Sequence, residues 1–245
     1  MSEQLAPAVD IAALQQLLHS DPAAAATQLR QAALAGDVNA QFLVAQMHAE
    51  GRLLQHDPGT GFHWFMVAAN AGHALAMNMV GRCFELGQGT PVDLPLAGVW
   101  YRKAAEHGLD WGMYNQANLL ATGRGMAANP KRALQLYLQA AELGHAKSMN
   151  LVGRYLEEGL ETPRDLPAAH AWYRKSALAG DFRGQASHAA VLAEAGRLLE
   201  AEHWLRIAIR QGSATFLATM RQTLEVSPHP SLRTLVALVE TRQVA

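Results

Sequence analysis

Two segments of the chain carry the same polar residue types at the same spacing. Residues 76–87 read AMNMVGRCFELG, and residues 148–159 read SMNLVGRYLEEG. On an α-helix, the asparagine, arginine and glutamate of each segment would lie within about 60° of one another. An amide and a guanidinium offer the donor–acceptor pair and the forked donors that suit a peptide backbone or a carboxylate. The pattern therefore predicts a surface that binds a peptide or a protein.

The segment between these two adds an aromatic and two amide side chains in similar register. A simpler interpretation remains open, in which Arg82 pairs with Glu85, and Arg154 with Glu157, on a solvated helix face. Recent duplication of a two-repeat unit would also make the two segments alike. The candidate binding residues are Asn78, Arg82, Glu85, Tyr114, Asn115, Asn118, Asn150, Arg154 and Glu157.

The remaining residues of catalytic or metal-binding type form no recognisable motif. The eleven histidines include no pair at close ligand spacing, so we expect no metal site and interpret His73 and His145 as turn and surface residues. Cys83, the single cysteine, is expected to be a small core residue. Because the sequence has no nucleophile elbow, Walker loop or dinucleotide fingerprint, we expect no catalytic residues and no cofactor.

The charge balance narrows the choice of partners. Lys and Arg number 20 against 21 Asp and Glu, which argues against nucleic acid and against an anionic membrane surface. The chain has neither a long apolar run nor a signal-peptide pattern, and it has one cysteine. These features predict a cytoplasmic protein that does not insert into a membrane.

The elements that must position the candidate residues recur at a fixed period. Glycine appears every 36 residues from Gly36 to Gly180, and Gly212 follows after 32 residues. A period of this length indicates a repeat architecture. With each of these glycines as position 1, small residues at positions 5 and 10 and glycine at 16 predict a first helix over positions 4–15. Asp or Asn at position 22 predicts the N-cap of a second helix, which carries a bulky pair, mostly aromatic, at positions 29 and 30.

The predicted fold class is all-α, a right-handed α-solenoid of stacked antiparallel helix pairs. The sequence also has GxG loops after first helices and a second-helix motif made of Asp93, Ala97, Trp100, Tyr101, Lys103, Ala104 and Ala105. In these motifs the chain resembles the Sel1-like repeat family, which is related to tetratricopeptide repeats. The resemblance covers about residues 36–212 and implies a non-catalytic scaffold, regulatory in a bacterial cell, that binds a protein or peptide in a concave groove lined by the first helices.

The period also predicts the organisation of the chain. We expect N-terminal capping helices over 1–35, including one near 9–18, and C-terminal capping helices over 213–245. Copy five lacks four loop residues and has Arg197 where the other copies have a capping Asp or Asn. Five repeats lie between the caps, as copies one to five: 36–71, 72–107, 108–143, 144–179 and 180–212.

Two other functions remain open. A final helix capped by Ser231 would carry Leu232, Leu235, Val236 and Val239 on one face, and such a surface would suit a homodimer or a larger homo-oligomeric structural module. A hydrolase is less favoured, because no nucleophile–base pair is evident in the sequence.

Overall fold

The computed structural model describes residues 16, 17 and 19–244, and regular structure in that part of the chain is entirely α-helical. The described residues form two compact units that divide between Asn129 and Pro130. The helix expected near residues 9–18 lies largely outside the described residues. Unit 1 contains α1 (Pro22–Leu34), α2 (Val38–Glu50), α3 (Pro58–Asn70), α4 (Ala74–Leu86), α5 (Leu94–Glu106) and α6 (Asp110–Thr122). Unit 2 contains α7 (Pro130–Glu142), α8 (Ala146–Glu158), α9 (Leu166–Leu178), α10 (Phe182–Glu194), α11 (Leu198–Gln211), α12 (Ala214–Glu225), α13 (Pro230–Arg233) and α14 (Val236–Val244).

Within each unit, successive helices pack against one another. In unit 1 the packed pairs run from α1 on α2 to α5 on α6, and in unit 2 from α7 on α8 to α10 on α11. The first helices of neighbouring repeats also meet, since α8 packs against α10. None of the helices in the described ranges has the length and apolarity needed to span a bilayer.

The first helices end where the sequence predicts. Gly51, Gly87, Gly123 and Gly159 follow them with left-handed backbone at φ of 69°, 71°, 71° and 69°. In copy five the left-handed residue is Gly196, one position later, after Ala195. Glycine adopts this conformation without the steric cost that a Cβ adds.

The second helices begin at capping aspartates. The side chains of Asp57, Asp93 and Asp165 each accept a backbone N–H from the residue three positions later, at 2.9–3.0 Å. Arg197 makes no such bond in copy five and instead donates to Glu200 at 2.7 and 2.6 Å. The predicted N-caps at these three aspartates are therefore confirmed.

The core of each helix pair depends on a small residue facing a large ring. Phe65, Tyr101, Tyr137 and Tyr173 are at most 3% exposed. A Cβ added at Gly81 would lie 2.6 Å from a ring carbon of Tyr101, and one at Gly153 would lie 2.6 Å from a ring carbon of Tyr173. Glycine is therefore required at both places by close packing, because real side chains do not approach so closely.

Two histidines have a role that the sequence analysis missed. Nδ1 of His73 accepts the backbone N–H of Ala76 at 3.1 Å, and its ring stacks on Phe42 at 4.6 Å. Nδ1 of His145 accepts the backbone N–H of Ser148 at 3.3 Å, and His145 is only 5% exposed. The interpretation as turn and surface histidines is wrong for His145, and both residues are N-caps of first helices.

The C-terminal region departs from the expected single final helix. α13 ends at Arg233 and α14 begins at Val236, and the residue before α13 is His229 rather than Ser231. The break allows the apolar side chains to turn inward: Leu232 and Leu235 are 4% and 1% exposed. The predicted exposed surface on this helix is therefore wrong, since Val239 is also fully buried and Val236 packs against the same C-terminal core. The homodimer stays a prediction, but these side chains no longer offer an exposed surface for it.

We expect Gly81→Ala to lower the free energy of unfolding by about 1–3 kcal/mol, because the Tyr101 ring must move to admit the methyl group. Gly59→Ala is the matched control, since its Cβ would lie 3.4 Å from the nearest atom, Oδ1 of Asp57. Urea denaturation of both variants measures the difference. Equal effects would contradict the packing argument.

His73→Asp is expected to flatten the dependence of stability on pH. Burial lowers the pKa of His73 below its ordinary value of about 6.5, and protonation of Nδ1 removes the cap acceptor. The stabilisation by His73 is therefore complete above about pH 6.5 and is lost as pH falls below that value towards the lowered pKa. Asp37 and Asp181 cap the equivalent helices, so aspartate should retain the bond. Urea denaturation between about pH 7 and 5 should show a smaller loss of unfolding free energy in the variant than in the wild type. The same change of unfolding free energy with pH in both proteins would refute this expectation.

Candidate functional site

The nine predicted residues lie on first helices of both units. They define two surfaces, and each belongs to one unit. The α4–α6 face comprises Asn78, Arg82 and Glu85 on α4 with Tyr114, Asn115 and Asn118 on α6. The α8–α10 face comprises Asn150, Arg154 and Glu157 on α8 with Ser187 on α10.

The asparagine of each face joins one first helix to the next. Nδ2 of Asn115 donates to Oδ1 of Asn78 at 2.8 Å, and Oγ of Ser187 donates to Oδ1 of Asn150 at 2.9 Å. Asn78 is only 5% exposed. The carbonyl oxygens of both asparagines are therefore occupied by contacts within the fold, and a purely solvated face does not describe these positions.

The two glutamates are acceptors for buried tyrosines. Oε2 of Glu85 accepts the hydroxyl of Tyr101 at 2.6 Å, and Oε2 of Glu157 accepts that of Tyr173 at 2.6 Å. The other oxygen of Glu85 accepts Nη1 of Arg124 at 3.0 Å. Burial, followed by the bond to the carboxylate, raises the pKa of each tyrosine, so both hydroxyls stay protonated donors.

The arginines do not pair with these glutamates. Arg82 is exposed and has no ion pair among the residues that the structure describes. Arg154 lies 3.5 Å from Glu158, with both side chains about half exposed. The alternative pairing of Arg82 with Glu85 and of Arg154 with Glu157 is therefore wrong. The exposed pair of Arg154 and Glu158 contributes at most about 1 kcal/mol to stability.

Aromatic surface accompanies the amides on α6. The half-buried Tyr114 meets Trp111 edge to face, with ring centroids 6.1 Å apart, and Trp111 is 38% exposed. Asn118 lies one turn further along the same helix and is half-buried. The α4–α6 face therefore combines a guanidinium, amides and an accessible ring.

The arrangement favours one direction of hydrogen bonding. The acceptor oxygens of Asn78 and Glu85 are bound from within the fold, whereas the guanidinium of Arg82 is exposed and has no such partner. The exposed guanidinium has a chemistry suited to groups that accept hydrogen bonds, such as backbone carbonyls and carboxylates.

The described residues hold no group of three or more His, Cys, Asp or Glu side chains able to bind a metal ion. Cys83 is 4% exposed, and burial raises the pKa of its thiol to about 11. A thiol in this state is a poor nucleophile, since the thiolate is the reactive form. The prediction that Cys83 is a core residue is confirmed.

The partners of the candidate residues were not predicted from the sequence; they are Tyr101, Tyr173, Arg124 and Ser187. A signal for the tyrosines exists in the repeat. Glutamate occupies position 14 in two copies, and both of these have tyrosine at position 30, whereas copy one has Ala49 and Phe65 there. Copy three weakens the signal, because it combines Tyr137 with Ala121.

A comparison with protein families finds one repeat along most of the chain. The model of the family described as Sel1 repeat matches more than half of the residues. The matched ranges are 38–73, 74–109, 112–145, 146–181 and 198–213.

Curated relatives match part of the chain. Chitin synthase regulatory factor 3 of Schizosaccharomyces pombe is 27% identical over 164 residues, which cover 49% of this chain and 18% of that protein. A chitin synthase regulator of Saccharomyces cerevisiae is 29% identical over 160 residues, which cover 61% of this chain and 23% of that protein. The chain thus spans less than a quarter of the length of either relative.

Solved structures are similar over nearly the whole chain. A Sel1 repeat protein from Oxalobacter formigenes has a TM-score of 0.80 at 23% identity, covering 95% of this chain and 99% of that one. A protective antigen of uropathogenic Escherichia coli has a TM-score of 0.72 at 21% identity, covering 95% and 52%. At these identities the likeness shows the fold alone, and it confirms the predicted all-α solenoid of stacked helix pairs.

A double-mutant cycle tests the bond between Tyr101 and Glu85. We expect Glu85→Ala to lower the free energy of unfolding by about 1–3 kcal/mol, because it leaves a buried hydroxyl without an acceptor. Tyr101→Phe should cost about 1 kcal/mol. The double variant reproduces the Phe65 and Ala49 of copy one and should cost less than the two single changes added together. Strict additivity in urea denaturation would show that the bond contributes nothing.

Proposed function

Because this chain belongs to the Sel1 repeat family, we propose that it is a non-catalytic scaffold that binds a protein or peptide through the α4–α6 and α8–α10 faces. The observation that carries the proposal is the contrast between acceptors that are bound within the fold and an exposed charged donor beside them. Asn78, Glu85, Asn150 and Glu157 all accept hydrogen bonds from within their own unit. The exposed guanidinium of Arg82 remains available for a partner.

The chemistry of the partner follows from this donor surface. An extended segment of a partner protein presents a carbonyl oxygen at every residue, and acidic side chains add carboxylates. A hydrogen bond from a charged donor is worth about 1.5–3 kcal/mol. Arg82 and Arg154 are the charged donors at corresponding positions of the two faces, so we assign them the main contribution to affinity.

The names of the relatives support a regulatory role. Both yeast relatives are named as regulators of chitin synthase. The chain covers less than a quarter of each, so the proposal extends only to regulation by protein binding and not to a particular enzyme. In line with the sequence resemblance and the single cysteine, we place the protein in the cytoplasm of a bacterial cell.

The test uses a pair of matched double variants of the full chain. Arg82→Ala/Arg154→Ala removes the exposed guanidinium from each face. Arg102→Ala/Arg174→Ala removes two exposed arginines from equivalent positions on the second helices α5 and α9. Partners are cross-linked and recovered from the native host and quantified for each variant, after thermal denaturation has shown that both variants fold.

We expect the face variant to recover at least about tenfold less partner than the wild type, and the second-helix variant to recover the wild-type amount. Equal recovery by the two double variants would refute the assignment of binding to the first helices.

A further inference from the structure

The first helix of copy five carries different residue types at the positions that form the polar faces. The three positions that carry asparagine, arginine and glutamate on α4 and α8 are occupied by alanine on α10: Ala186, Ala190 and Ala193. Ala189, between them, is fully buried. The same register that is polar in copies two and four is therefore apolar here.

A cavity of about 370 Å³ opens over these alanines in unit 2. The alanines of α10 line it together with Met220 and Leu224 on α12. Leu205 on α11 and Leu232 on α13 also line it. Small side chains on α10, together with the break in the chain before α13, leave a space that larger residues would fill.

The volume and lining indicate what fits. An apolar cavity of about 150 Å³ accommodates a molecule the size of benzene, and ligand pockets begin at about 300 Å³. A cavity of about 370 Å³ therefore accommodates two apolar side chains of a peptide. Thr223, Ser227 and His229 also line it, and ligand pockets usually combine an apolar lining with a few polar groups of this kind.

The charge at this pocket is negative. Among its described lining residues, Glu194 is the one carboxylate, and no Lys or Arg lines the cavity. Glu194 is exposed at the last position of α10. Charge complementarity therefore favours a partner with a basic residue next to its apolar side chains.

We infer that this pocket holds two neighbouring apolar side chains of a partner peptide, with an adjacent Lys or Arg paired to Glu194. The inference rests on the proposed function, because the same peptide would continue over the α8–α10 face. α10 belongs to both surfaces: it carries Ser187, which is bound to Asn150, next to Ala186 at the pocket. The partner segment thus presents hydrogen-bond acceptors to α8, and it presents apolar and basic side chains to α10 and α12.

The probe is a displayed library of short random peptides selected on the immobilised full chain. We expect the enriched peptides to share two apolar residues flanked by Lys or Arg. Enrichment of peptides without this pattern, or no enrichment, would overturn the inference. So would a dimer of the chain that Ala190→Phe disrupts, or binding of an apolar dye to the pocket with no binding of any peptide.

Three variants then test the pocket with the tightest peptide by fluorescence anisotropy. Ala190→Phe fills the mouth of the cavity from an exposed position and should weaken binding at least about tenfold. Ala218→Phe, at an exposed position of α12 outside the cavity, should leave affinity unchanged. Glu194→Lys should weaken binding of the basic peptide and, on renewed selection, enrich acidic flanks instead. Equal affinity of the two phenylalanine variants would overturn the inference.

Arg154→Ala separates this inference from the proposed function. If Arg154→Ala leaves peptide affinity unchanged while Ala190→Phe abolishes binding, the pocket stands and the polar face fails. If Arg154→Ala weakens binding while Ala190→Phe has no effect, the polar face stands and the pocket inference fails.

Discussion

The close approach of a glycine on one helix to a tyrosine ring on the next is the constraint on which both polar faces depend. At Gly81 and Gly153 the absence of a Cβ lets the rings of Tyr101 and Tyr173 lie against the first helix. This position carries each hydroxyl to a glutamate one turn further along that helix. The packing contact in the core thereby sets the hydrogen bonding at the surface.

Some polar atoms of the two faces are bound within the fold, whereas others are exposed to solvent. Asn78 and Asn150 join neighbouring first helices through their carbonyl oxygens, and Glu85 is held by both Tyr101 and Arg124. Side chains that resemble a binding motif in the sequence therefore also stabilise the stack. A substitution at these positions would therefore alter folding, whereas the exposed Arg82 can be changed without disturbing such contacts.

Much of the fold could be predicted from the sequence, because helix ends obey local rules. A left-handed glycine such as Gly87 and a capping aspartate such as Asp93 act within a few residues of their own position. The partners of the candidate site could not be predicted in this way. Arg124 reaches Glu85 from a loop, and Ser187 reaches Asn150 from the next repeat, so these contacts depend on how helices are placed in three dimensions.

A partner bound through the two polar faces would cover first helices and leave second helices open. Hydroxyl-radical footprinting of the full chain, with and without its captured partner, measures this at individual side chains. We expect the partner to reduce oxidation of Trp111 and Tyr114 on α6 and to leave that of Trp172 on α9 unchanged. Protection of Trp172, with Trp111 and Tyr114 oxidised as in the free chain, would contradict it.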